Sequence, residues 1–367
     1  MLRIDRRLLT HIEWPMLVLA MLVTAVGLLT ILSATYRVDQ VFSTFVVRQA
    51  TWASIGLVLM IVAVSIDYRV LNRYAYAIYG ALVLALAMTL MIGVKGGGAR
   101  RWLGYGPLAL QPSEFMKVGL ILVLAHVLHR WAGESRLPLR RLVGPAVLIA
   151  LPAFLILKQP DLGTVIALAM GAFTLLLVAG LPMRLLIVAA LVLAPFGKIA
   201  FDHLKPYQKN RLISFRNPEA DPLGTGYHVL QSQIAIGSGQ VHGKGYLNGT
   251  QNKLSFLPEQ HTDFIFSVYA EEWGFLGAAA LLVLYLGLVL RGAYIASRAR
   301  DNLGALLAAG LTGTIFWQAV INIGMTSGSL PVVGITLPFL SYGGSSMLAL
   351  LASVGLLMNV SMRRYTF

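Results

Sequence analysis

Apolar runs long enough to cross a bilayer recur along almost the whole chain, and they leave little choice of fold. A hydrocarbon core about 30 Å thick needs roughly 17–25 apolar residues per helical crossing. By that measure ten runs qualify, near 14–33, 50–66, 74–93, 112–128, 142–158, 164–181, 183–204, 263–290, 303–325 and 338–360. Inside lipid, backbone N–H and C=O groups must be satisfied within the segment, so each run predicts a helix. The expected fold is all-α: a polytopic integral membrane protein of about ten transmembrane helices, with residues 1–367 forming a single transmembrane domain. Composition agrees, since a soluble domain of this size would not be 57% hydrophobic and only 12% charged. The first run, Trp14 to Ser33, is too long for a signal-peptide core and lacks a small-residue cleavage site, which predicts an uncleaved anchor.

Basic residues set the orientation. One side collects Arg3, Arg6, Arg7, Arg69, Arg73, Arg130, Arg136, Arg140, Arg141, Arg184, Arg291, Arg298, Arg300, Arg363 and Arg364, which predicts that this side and both termini are cytoplasmic. All eight lysines fall on or toward the other side, together with Arg37, Arg48, Arg100, Arg101, Arg211 and Arg216. Most of those outer arginines sit in two longer segments, 93–113 and 205–262, and long loops are translocated whatever their charge. A basic outer face is either ordinary headgroup contact or a site for phosphate groups just above the outer leaflet. The net charge of +14 is spread between apolar stretches, so anionic lipid headgroups and anionic lipid-linked ligands are the expected partners, and nucleic acid is not. With no cysteine, disulfides, thiolate metal sites and a cysteine nucleophile are excluded.

Ionisable residues gather at the outer ends of the predicted spans. Phe256-Leu257-Pro258-Glu259-Gln260-His261-Thr262-Asp263 runs straight into the eighth span, and an ionisable group at the edge of hydrocarbon is a functional candidate by default. Asp263 either caps that helix or does chemistry, and its position leaves both open. Gln111-Pro112-Ser113-Glu114 opens the fourth span; Lys117, three residues past Glu114, shares its helical face and can pair with it. Lys158-Gln159-Pro160-Asp161-Leu162-Gly163-Thr164 is a tight outer link in which Asp161 is a turn residue or a second carboxylate of the same cavity. The run Gly96-Gly97-Gly98-Ala99-Arg100-Arg101-Trp102 could cradle an anion or serve as a turn with interfacial anchors. Within the long periplasmic loop 205–262, between the seventh and eighth spans, His228 to Ile236 could lie as an interfacial helix. Gly243-Lys244-Gly245 lacks the spacing of a phosphate-binding P-loop. Glu271 and Glu272 lie about a further 12 Å along the helix, too far to be direct partners of Asp263. The small residues of Pro338 to Ser346 either pack helices closely or touch a ligand.

Four ordered motifs, Gln111 to Lys117, Gln159 to Thr164, Leu257 to Phe264 and Pro338 to Ser346, resemble the SEDS family (shape, elongation, division and sporulation). The resemblance covers essentially the whole chain. Gly249-Thr250-Gln251 is more similar to the elongation branch than to the division branch. The resemblance implies a peptidoglycan glycosyltransferase of the bacterial inner membrane, polymerising lipid II and undecaprenyl-pyrophosphate-linked glycan on the periplasmic side. It also implies a class B penicillin-binding protein as partner and, for the elongation branch, MreB, MreC, MreD and RodZ. The essential aspartate of the family matches Asp263.

That chemistry gives each candidate an expected role. Asp263 is the general base, with His261 and Thr262 shaping its surroundings, and Arg100, Arg101, Lys117 and Arg211 steady the departing diphosphate. Asp161 and Glu114 orient these cations or help hold a divalent ion, Mg or Mn. The rivals are a flippase for lipid-linked precursors, which would need polar groups reachable from both leaflets in turn, and a non-catalytic scaffold for the penicillin-binding protein.

Overall fold

A computed structural model describes residues 12–36, 43–96, 99–104, 106, 109–131, 139–181, 184, 209, 211, 214–216, 224–250 and 260–365. Helices α1 (Trp14–Ala34), α2 (Thr44–Ser65), a short α3 (Tyr68–Arg73) and α4 (Ala75–Ile92) are followed by a two-stranded hairpin, β1 (Val94–Gly96) and β2 (Ala99–Trp102). Then come α5 (Pro112–Leu128), α6 (Leu139–Lys158), α7 (Leu162–Val178), α8 (Thr225–Ser238), α9 (Ile265–Ser297), α10 (Asn302–Thr326) and α11 (Gly344–Met362). Seven of the described helices are long and apolar enough to span a membrane, and α7 is a shorter apolar one. The protein is thus a polytopic, essentially all-helical membrane protein. Apart from Arg184, the run predicted at 183–204 lies outside the described residues.

Two helices form the centre. Most of α11 and of α10 is buried within the protein (94% and 72% of their apolar stretches), whereas α4 and α6 bury only 22% and 17% and lie at the periphery. Close approach at the centre depends on small residues, as expected where lipid supplies no hydrophobic contrast between helices. A Cβ on Gly355 would meet the Met60 carbonyl oxygen at 2.6 Å, and one on Gly310 would meet Ile121 at 2.6 Å.

Helix ends are settled by side chains. Asp161 caps α7 by accepting from Thr164 N–H, and Asp301 caps α10 by accepting from Gly304 N–H. Asn359 of α11 donates to the carbonyls of Ala63, Val64 and Ile66, satisfying the last turn of α2.

Helix α9 departs from the sequence reading in two ways. It starts at Ile265 and runs to Ser297, and it breaks at Gly274, whose φ of +63° suits glycine. The broken turn is filled from the 240–245 segment: Phe275 N–H donates to Gln240 O (2.8 Å), while Lys244 N–H donates to Glu271 O (3.0 Å). Backbone groups freed by a break at membrane depth need such replacements. Glu271 accepts from Lys244 Nζ (2.6 Å) and from Thr250 N–H and Oγ1 (2.9 Å each), and Glu272 accepts from Ser33. The stretch His228 to Ile236 is helical, within α8, and packs on α9 and α10 through buried Val229, Ser232 and Ala235. The tenth predicted span also starts late, because residues 338–343 form a turn and α11 begins only at Gly344.

Candidate functional site

Where α2, α5, α7, α9 and α11 begin, the bundle encloses a cavity of about 610 Å³. Each wall has a sequence reason. Proline at the start of α5, where a missing N–H costs nothing, fixes the first turn and puts Glu114 there; Lys117 follows one turn later. Glu114 Oε2 and Lys117 Nζ are 2.8 Å apart, both side chains are nearly buried, and both line the cavity. Asp161 lines it too, with its oxygens engaged by Thr164 N–H (3.1 Å), Thr164 Oγ1 (2.9 Å) and Gln111 Nε2 (3.2 Å). Arg101 reaches in from β2 and donates from Nε to Gln159 O (3.1 Å) and from its terminal nitrogen to Pro160 O.

The opposite wall is the irregular segment 331–343 and the turn 260–264. Two prolines, Pro331 and Pro338, and Gly334 with φ +77° keep the first of these out of helix. Arg211 NH1 donates to Val333 O at 2.9 Å. A Cβ added at Gly334 would meet Asp263 Oδ2 at 3.3 Å and both terminal nitrogens of Arg211 at 3.9 Å, so carboxylate and guanidinium flank this glycine. Gly163 lets α7 reach the same wall, since a Cβ there would lie 2.6 Å from Gly334 O. Asp263 immediately precedes Phe264, the N-cap residue of α9, and together with Thr262 it lines the cavity.

Of the sequence candidates, Asp263, Arg101, Glu114, Lys117, Asp161, Arg211 and Thr262 therefore meet around one space. Arg100 does not line it; its side chain is exposed and donates to Met91 O at 3.0 Å, because alternate residues of a strand face opposite sides. The His261 ring packs on Phe45, with centroids 4.5 Å apart, and on Tyr342 at 5.7 Å, which makes it a neighbour of the cavity wall. Residues given no individual site role in the sequence reading also line the space: Arg48 and Trp52 from α2, Thr336, and Trp102 and Ser345 from motifs already noted. The first two are four residues apart, hence on one helical face, which was the available signal.

These side chains do not fit a resident metal. Glu114 is paired with Lys117 and Asp161 is occupied as a cap, and among the described residues no three His, Asp or Glu side chains come together. A preformed, partly apolar space with a few convergent polar groups is what a ligand site requires, and its cations suit an anionic ligand.

Comparison with known proteins gives a consistent result. The family model described as cell cycle protein, covering FtsW, RodA and SpoVE, matches residues 13–366. The chain is similar to the peptidoglycan glycosyltransferase MrdB of Escherichia coli K12, 43% identical over 319 residues that span 86% of this chain and 85% of that protein. Among solved structures it is similar to a chain of a peptidoglycan synthase complex that coordinates polymerization and crosslinking, with TM-score 0.83, 35% identity and coverage of 97% and 99%. It is also similar to the rod shape determining protein RodA of Thermus thermophilus, with TM-score 0.72, 32% identity and coverage of 97% and 98%.

Proposed function

The chain belongs to the FtsW/RodA/SpoVE family and is a peptidoglycan glycosyltransferase, and from that premise we infer that Asp263 is the base that activates its sugar acceptor. Lipid II and the diphosphate-linked glycan grown from it are the substrates, and the cavity opens to the periplasmic side of the inner membrane. The observation that carries this reading is that Asp263 shares one cavity with Arg101, Lys117 and Arg211.

The acceptor GlcNAc 4-hydroxyl attacks the anomeric carbon of the MurNAc at the end of the growing chain. Its proton passes to the Asp263 carboxylate as the new C–O bond forms. The bond from the anomeric carbon to the diphosphate oxygen breaks, and undecaprenyl diphosphate leaves with the electron pair. One in-line displacement inverts the α-linked donor to a β-linked product, so no second, nucleophilic carboxylate is needed. Arg101, Arg211 and Lys117 hold the charge that grows on the leaving group, where fixed cations act without reorganisation. Among the described residues no three His, Asp or Glu side chains come together, so a divalent ion, Mg or Mn, would be held mainly by the diphosphate with Asp161 or Glu114 beside it, and no step depends on it.

The class B penicillin-binding protein and the elongation proteins MreB, MreC, MreD and RodZ are its proposed partners. The test compares purified wild type and Asp263→Ala for lipid II polymerisation and for lipid translocation in vesicles. A base contributes about 10²–10⁴-fold, so the variant should fold, insert and make no measurable polymer. Polymerisation by Asp263→Ala at the wild-type rate removes Asp263 from the mechanism. Translocation without polymerisation by the wild type would instead make the protein a flippase.

A further inference from the structure

The turn that presents Asp263 is held at three consecutive carbonyl oxygens by groups from elsewhere in the fold. His261 O accepts from Tyr342 N–H at 2.9 Å. Thr262 O accepts from Ser341 Oγ at 2.7 Å. Asp263 O accepts from Asn322 Nδ2 at 2.9 Å. Asn322 lies on α10, is fully buried, and with the same amide also donates to Ile335 O at 2.6 Å. One side chain thus fixes the distance between the peptide that carries Asp263 and the wall formed by 333–336.

Ser341 is doubly committed as well: its Oγ also accepts from Leu337 N–H at 2.8 Å. The segment it belongs to is anchored from α2, where Gln49 Nε2 donates to Ser341 O (3.2 Å) and Gln49 Oε1 accepts from Gly343 N–H (3.0 Å). These bonds tie the turn to α2, α10 and the 337–343 segment. A buried polar side chain that joins two irregular backbones at membrane depth is costly unless its bonds are made, so it is present for what it positions.

We propose that Asn322 and Ser341 are positioning residues that set the direction of the Asp263 carboxylate toward the acceptor hydroxyl. They act through the backbone and touch no substrate. This rests on the reading of Asp263 as the base. Misplacing a catalytic group by about 1 Å costs on the order of 10²-fold. Binding of the lipid-linked substrate, made by the cations and the apolar walls, is untouched.

The test is steady-state polymerisation of purified lipid II by full-length Asn322→Leu and Ser341→Ala, with Asp263→Ala and the buried, remote Ser353→Ala run alongside. The expected result is kcat lowered about 10–100-fold in both positioning variants. KM should stay within about twofold, and Ser353→Ala should keep the wild-type kcat. Wild-type kcat in Ser341→Ala and Asn322→Leu beside an inactive Asp263→Ala overturns the inference alone. Activity in Asp263→Ala overturns the reading beneath it. Should Asn322→Leu fail to fold, Ser341→Ala decides: lowered kcat with unchanged KM supports the inference, and a rise in KM at unchanged kcat refutes it.

Discussion

At the end of the bundle away from the cavity, arginines meet carboxylates: Arg69 donates to Asp301 at 3.0 and 3.1 Å, Arg363 Nε lies 3.2 Å from Asp67, and Arg291 is paired with Glu13. At the cavity end, Arg101 donates to the carbonyl oxygens of Gln159 and Pro160, and Arg211 donates to that of Val333. A carboxylate partner both orients a guanidinium and cancels its charge. A carbonyl partner orients it and leaves the charge in place. The three pairs away from the cavity are closed, whereas at the cavity end Arg101 keeps its positive charge beside a space that an anionic diphosphate can fill, and Arg211 and the Asp263 carboxylate flank Gly334. Glu114 and Lys117 form a closed pair at the cavity end that is also nearly buried.

That pair yields the largest expected effect. Removing one member of a buried pair leaves an uncompensated charge and costs about 3–5 kcal/mol. Glu114→Gln or Lys117→Met should therefore melt well below wild type in thermal unfolding in detergent. The double variant Glu114→Met/Lys117→Met should recover most of that stability, because apolar replacement of a buried pair is often neutral. Polymerisation should stay low in the double variant, since the Lys117 N–H donors that line the cavity are gone although the net charge is unchanged. Recovery of both properties would show that the pair belongs with the closed pairs of the inner end.

The next effect separates neighbouring arginines on one strand. Arg101→Gln should lower kcat/KM for lipid II on the order of 10²-fold, as loss of a preorganised donor does. Arg101→Lys should restore only part, because an ammonium cannot span the Gln159 and Pro160 oxygens with a fixed fork. Arg100→Gln, on the exposed side of β2, should change kcat/KM by less than about threefold. Equal losses at both positions would mean that the charge acts at long range and the carbonyl cradle is incidental.

Much of this was legible in the sequence for a physical reason: in lipid, length and apolarity alone specify a helix. The runs at 14–33, 112–128 and 303–325 reappear within a residue or two as α1, α5 and α10. The cavity residues at helix starts were legible as well, because an ionisable side chain at the edge of hydrocarbon is rare enough to be noticed. What escaped was set by tertiary contacts. Nothing local in Gly274 announces that the 240–245 backbone will fill a broken turn of α9, and nothing in Asn322 says that its amide will reach the peptide of Asp263. Arg100 was grouped with Arg101 because adjacency was visible and strand alternation was not. The late start of α11 follows from bonds that Ser341 makes to residues far away in the chain.

The smallest effect belongs to the inner end. Asp301 is about one-third exposed and accepts from Gly304 N–H (2.8 Å), Tyr68 OH (2.9 Å) and Arg69. Burial alone would raise its pKa, but Gly304 N–H, Tyr68 and Arg69 outweigh burial and lower it below the usual carboxylate range. Burial, with the Asp301 charge second, pushes the Tyr68 phenol up to about 12. A depressed carboxylate gives stability that is present above its unfolded pKa near 3.9 and lost only as pH falls through the lower folded value. A raised phenol gives stability that is present below about 10 and lost as pH rises toward 12. Neither changes between about pH 5 and 9. Asp301→Asn keeps a good helix cap and removes the charge from a solvent-screened pair, so it should cost no more than about 1 kcal/mol. The difference between its melting temperature and that of the wild type should be constant across that pH range, and its polymerisation rate unchanged. Any pH dependence of turnover in that window then arises elsewhere than at the Asp301 cluster, and a large loss of activity in Asp301→Asn would mean that the two ends are coupled rather than separately built.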